Sequence, residues 1–177
     1  DMETPVSAFR KIDSGNYAFL LESVEGGEQW GRYSFLGSNP SLVFQCKGRL
    51  VELLEGPTTT RHEVATDPME AVKGILARYR PAAVPGLPRF CGGLVGYLGY
   101  DLVRFLERLP ERAKDDLGLP DAVLLLTDTL LIFDNVAHTI KVVSNAAVRE
   151  PGEAAAREAY EEAQRKIAAL IAALRRP

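Results

Sequence analysis

Residues 17–38, YAFLLESVEGGEQWGRYSFLGS, carry the reading that decides the fold. Aromatic and apolar residues fill 17–24, Glu25-Gly26-Gly27 is a turn signal, and 31–38 resume the strand pattern. Two such segments around a turn predict an antiparallel pair. Further out, 41–46 and 49–54 flank Lys47-Gly48, so the meander continues through a tight hairpin. Residues 56–60 read as a loop.

The pattern then changes period. Asp67 is placed as an N-cap, Pro68 at the first helical position and Glu70 for a capping box, predicting a helix that runs to Tyr79 and stops before Pro81. Pro81, Pro85, Gly86 and Pro88 mark a stiff connection. Residues 90–100 are apolar and glycine-rich, and 101–109 suit a short helix. A long strand pattern covers 122–134, with Asp128 marking a bend, and 139–144 pair with it across 135–138. From Pro151 the chain is alanine-rich, and Tyr160, Ile167, Leu170, Ile171 and Leu174 form an apolar stripe at helical spacing. Glu153–Arg157, Glu161–Arg165 and Glu162–Lys166 are favourable ion pairs one turn apart. Strands, a helix, more strands and a long helix predict the α+β class. The expected form is a mainly antiparallel, sandwich-like sheet with flanking helices and a long C-terminal helix, in one domain spanning 1–177.

A chain of 177 residues can bury one sizeable core. The net charge of −3, without a clustered basic stripe, argues against a nucleic-acid partner. The apolar runs at 122–126 and 130–133 are too short to span a bilayer, and the start lacks the basic-then-apolar pattern of a signal peptide. Cys46 and Cys91 form no CxxC pair and read as reduced, buried thiols of a cytoplasmic protein. Asp1 in place of Met and the linker-like Arg175-Arg176-Pro177 point to a segment of a longer chain.

No catalytic constellation is visible. His62 and His138 fall in expected loops, without the neighbouring ligands that a metal site needs. There is no G-x-S-x-G elbow around a serine. The run 92–101, GGLVGYLGYD, has neither the Gly-Lys-Ser/Thr nor the G-x-G-x-x-G spacing of a phosphate loop. Its glycines suit bends or close approach of another backbone, and Asp101 suits a helix N-cap.

Glu22, Ser23 and Ser34 form the one set with ligand chemistry. Strand alternation puts Leu20 and Glu22 on one face, with Leu21 and Ser23 on the other. Pairing of 17–24 with 31–38 brings Ser23 and Ser34 within a position or two of facing each other. An amino-acid ligand needs an acceptor for its ammonium, donors for its carboxylate and an apolar slot. Glu22 can supply the first. Ser23, Ser34 and backbone N–H groups can supply the second, with Tyr33 or Leu21 lining the third. The same residues also suit a hairpin whose polar side chains face water.

Leu20-Leu21-Glu22-Ser23, followed after ten residues by Ser34, resembles the leucine-leucine-glutamate-serine element of anthranilate synthase component I, part of that family's tryptophan feedback site. GRYSFLGSNP at 31–40, Thr66-Asp67-Pro68 and CGGLVGYLGYDLVR at 91–104 resemble further elements of its N-terminal region, so the likeness covers most of 5–145. The glycine-tyrosine-aspartate block is shared with related chorismate-using enzymes and identifies the superfamily only. The resemblance implies an N-terminal regulatory domain that is non-catalytic by itself. A larger chorismate-binding domain with Mg²⁺ ligands is expected after 177, and a glutamine amidotransferase subunit supplies ammonia. It carries Ser23 over as an L-tryptophan contact, with Glu22 and Ser34 beside it, and carries over no Mg²⁺ or chorismate ligand. The rival within the superfamily is aminodeoxychorismate synthase component I; the rival outside it is a non-enzymatic binding module.

Overall fold

The computed structural model describes residues 3–22, 31–110 and 114–176. These fold as two compact units. The first gathers the N-terminal 40 residues, 88–92 and the chain from 127 onward; the second gathers 41–87 and 93–126.

The first unit opens on a helix. α1 (Pro5–Ile12) starts at Thr4, whose hydroxyl accepts from the Ser7 N–H at 3.1 Å while the Ser7 hydroxyl accepts from the Thr4 N–H at 2.9 Å. This reciprocal cap uses serine where the usual signal is glutamate, and the helix is only eight residues long, so its sequence signature is faint. β1 (Ala18–Leu21), β2 (Tyr33–Ser38), β8 (Thr129–Asp134) and β9 (Thr139–Ser144) then form an antiparallel sheet in that order. Ala8 and Ile12 of α1, Leu36 of β2, and Leu131 and Phe133 of β8 make its buried core.

The last helix, α3 (Glu153–Leu174), packs Leu170, Ala173 and Leu174 against that core. The expected stripe is corrected on one side. Tyr160 and Ile171 are exposed, and the small Ala159 and Ala163 are the buried residues of the helix. Close approach of the helix favours small side chains at that point. The pairs Glu153–Arg157 and Glu162–Lys166 form at 3.2 and 3.1 Å. Lys11 donates to the Leu174 carbonyl at 3.1 Å, a cation where the C-terminal end of a helix is negative.

The second unit is a sheet in the order β5-β4-β3-β7-β6, made of β3 (Leu42–Lys47), β4 (Leu50–Glu55), β5 (Thr58–Glu63), β6 (Gly93–Leu98) and β7 (Ala122–Thr127). The Lys47-Gly48 hairpin forms as expected, with Gly48 at φ +54°. The expected loop at 56–60 is instead the turn and start of β5, an edge strand with every residue exposed. An edge strand with both faces in water needs no apolar alternation, so its sequence, TTTRHE, gives no such signal. His62 therefore sits on β5, opposite Val51, and not in a loop; His138 lies outside the strands at φ +51°.

α2 (Met69–Leu76) covers this sheet through Ile75, Met69, Ala71 and Val72, over a core of Leu42, Phe44, Cys46, Val51, Leu124 and Leu126. It is shorter than expected at both ends. Asp67 accepts from the Met69 N–H at 2.8 Å, but Glu70 closes no capping box and pairs with Lys73 at 2.6 Å. The short helix expected at 101–109 is a 3-10 turn, Tyr100–Phe105. The long strand pattern at 122–134 is two strands, β7 and β8, with the break at Asp128, where the chain leaves one sheet and enters the other. Lys166 of α3 holds the Asp128 carboxylate at 2.8 Å.

Candidate functional site

β1 and β2 run antiparallel with Leu21 opposite Phe35, Leu20 opposite Leu36 and Phe19 opposite Gly37. Cross-strand partners share a face, so Leu21 and Phe35 stand together. Tyr33, two residues before Phe35 on the same strand, joins them. Its ring centroid lies 6.1 Å from that of Phe35, and Phe90 meets Phe35 edge-on at 5.2 Å. Leu21 and the three rings form an apolar wall of the first unit, on which Leu21 remains about half exposed.

Ser34 and Leu36 turn to the opposite face. Leu36 enters the core under α1, and Ser34 is only 2% exposed. Ser34 lies opposite Phe133 of β8, and its hydroxyl accepts from the Asn135 amide at 3.4 Å. Continuing the β1–β2 register by one residue sets Glu22 across from Ser34; Glu22 itself is exposed. Ser23 lies outside the described residues. Of the five residues expected to line a ligand site, Leu21 and Tyr33 thus share one face, Ser34 is buried behind it, and Glu22 stands at the strand end.

Three residues here were not anticipated from sequence. Arg32 donates to both carboxylate oxygens of Asp134, from Nε at 3.1 Å and from Nη2 at 2.9 Å. The Asp134 carboxylate also accepts the backbone N–H groups of Val136 and Ala137 at 3.3 and 3.0 Å. The Arg32 guanidinium, with these backbone donors, lowers the Asp134 carboxyl from the usual 3.8 to about 2. The same guanidinium lies 5.0 Å from the centre of the Tyr33 ring. Asn135 donates to the Gly31 carbonyl at 3.0 Å as well as to Ser34. An Asp-Asn pair ending a strand signals a turn, but its partner Arg32 is 102 positions away, beyond the reach of local pattern.

Chemically, the arrangement offers an aromatic and leucine wall, with the exposed Glu22 at the strand end and, by register, on the Ser34 side. The wall suits a ligand with a flat apolar body. A concavity on α3, lined by Glu153, Arg157 and Glu161, touches none of these residues. Among the described residues no group of three or more His, Cys, Asp or Glu is placed to hold a metal ion. No helix among them is long and apolar enough to cross a membrane.

No family model matches the chain. It is 45% identical over 148 residues to anthranilate synthase component 1 of Acetivibrio thermocellus, covering 84% of this chain and 30% of that protein. It is 40% identical over 183 aligned positions to anthranilate synthase component 1 of Pseudomonas putida, covering 100% of this chain and 35% of the relative. The chain therefore spans about a third of the length of these curated relatives. The crystal structure of anthranilate synthase component I from Streptococcus pneumoniae TIGR4 superposes on 99% of the chain and 35% of that protein, with a TM-score of 0.64 at 21% identity. That likeness shows the fold, and with it the α+β class.

Proposed function

The chain is a relative of the N-terminal third of anthranilate synthase component I, and on that premise we propose that it is the tryptophan-sensing region of such an enzyme. The observation that carries the reading is 40% identity sustained along the whole chain. The parent protein converts chorismate and ammonia to anthranilate, pyruvate and water in the cytoplasm, the ammonia coming from a glutamine amidotransferase subunit. Mg²⁺ belongs to the chorismate-binding part of the parent. The names of the relatives do not favour the aminodeoxychorismate alternative.

L-tryptophan has the flat apolar body that this wall suits. Leu21 and Tyr33 supply the wall, extended by Phe35 and Phe90, and Glu22 accepts from the ammonium. Ser23 contacts the ligand, while Ser34 supports the strand from its buried side. Tryptophan then favours the arrangement of the parent in which the catalytic part turns over less. A differential affinity of about 1–3 kcal/mol for the two arrangements suffices.

The test follows anthranilate fluorescence from the full-length protein with chorismate, Mg²⁺ and ammonia while L-tryptophan is titrated. Product that falls with tryptophan supports the enzyme and the sensor together. Product insensitive to tryptophan keeps the enzyme and discards the sensor. No anthranilate from a folded protein discards both. Ser23→Phe is expected to weaken inhibition while uninhibited turnover stays nearly intact; equal loss of both counts against Ser23 as a ligand contact.

A further inference from the structure

The apolar wall of the candidate site depends on a side chain that belongs to neither the wall nor its core. Tyr33 presents one ring face to the Arg32 guanidinium, at 5.0 Å. Arg32, its side chain 45% exposed, is held by a planar fork matched to both oxygens of Asp134. Asp134 is itself held, 3% exposed at the end of β8, by the Val136 and Ala137 N–H groups. A separate tie from Asn135 reaches the Gly31 carbonyl on one side of Arg32 and the Ser34 hydroxyl on the other. The β8–β9 turn therefore sets the position of Tyr33 through two independent links, each between residues about 100 positions apart in the chain.

We propose that Arg32, Asp134 and Asn135 are positioning residues that set the tryptophan affinity of this site. They act by holding the Tyr33 ring in its binding orientation before the ligand arrives. This rests on the tryptophan-sensing reading above. A ring already fixed on one face by a cation loses little freedom when an indole packs against the wall, so preorganisation appears as affinity. An arginine does this better than a lysine, because an ammonium can neither match both carboxylate oxygens in a plane nor lie flat over a ring.

The experiment uses the full-length protein. The tryptophan concentration giving half-inhibition is measured beside uninhibited kcat and chorismate KM, with thermal unfolding as the fold control. Arg32→Gln is expected to raise half-inhibition about tenfold or more while kcat and KM stay within about twofold. That tenfold corresponds to about 1.4 kcal/mol of lost ligand affinity. Arg32→Lys, which keeps the charge, is expected to recover only part of the loss. Combining Arg32→Gln with Asp134→Asn is expected to cost no more than the worse single change, since both cut one link. Half-inhibition unchanged in Arg32→Gln, with the wild type still inhibited, overturns the clasp and leaves the sensor standing. A wild type that tryptophan neither binds nor inhibits overturns both. If Arg32→Gln does not fold, Arg32→Lys decides by itself: full wild-type sensitivity overturns the proposal, and a partial loss at unchanged kcat supports it.

Discussion

Gly96 of β6 lies so close to Val123 of β7 that a Cβ on the glycine would stand 2.9 Å from the Val123 carbonyl carbon and inside the radius of its oxygen. The neighbour is backbone, which cannot rotate away. Gly99 repeats the relationship three residues on, where a Cβ would lie 2.8 Å from the Asp121 carbonyl oxygen. Gly96 and Gly99 thus serve close backbone approach, as expected of glycines in an apolar strand segment.

Gly96→Ala is therefore expected to destabilise the protein by about 3 kcal/mol, since the strands must part to admit the methyl group. Gly74 has open space around its Cβ position, so Gly74→Ala in α2 is expected to be neutral or stabilising. Thermal unfolding of both variants checks the contrast.

The Arg32–Asp134 pair makes a prediction about acid. Asp134 titrates at about 2 in the folded protein against 3.8 for a free carboxyl, so the folded state favours its ionised form. The contribution is full above 3.8 and is lost as pH falls through about 2. Unfolding scans at successive pH values are expected to show wild type and Asp134→Asn converging between those limits. A difference that stays constant down to pH 2 contradicts this.

Thr4→Ala is expected to cost about 1 kcal/mol by removing the N-cap acceptor of α1. Because Ala8 and Ile12 of that helix sit in the core of the first unit, the loss is expected in the global unfolding transition and not only as local fraying. Denaturant titration at unchanged slope tests this.

Cys46 is 2% exposed, and burial raises its thiol to about 11. The thiolate is the reactive form, so at pH 7–8 Cys46 is expected to resist a thiol reagent until the protein unfolds. Timed labelling with mass readout, native against denatured, separates it from the less buried Cys91.

Phe44, fully buried in the core of the second unit, is expected to cost about 3–5 kcal/mol when cut to alanine. Denaturant unfolding of the variant measures the loss directly.

Much of this architecture was legible along the chain because its signals are local. The Lys47-Gly48 hairpin announces itself through a glycine at positive φ. α3 is apparent from helical periodicity and its ion pairs. β5 and α1 escaped for opposite reasons: β5 has no buried face to impose alternation, and α1 is too short for a periodic pattern and caps itself with serine. The bend at Asp128 was readable, but that it divides strands of two different sheets was not, since pairing partners lie far off in sequence.

The candidate site divides along the same line. By itself the sequence determined the α+β class and the pairing of the first two strands, and it singled out Leu21, Glu22, Ser23, Tyr33 and Ser34 as candidates, because period and residue type are properties of neighbouring positions. Only the tertiary structure decided that Ser34 faces a buried core while Tyr33 joins an aromatic wall, since that depends on which sheet face α1 covers. Only the tertiary structure brought Asp134 and Asn135 to Arg32 and Ser34. Strand register, not sequence separation, sets which side chains meet, and register is a property of the assembled sheet.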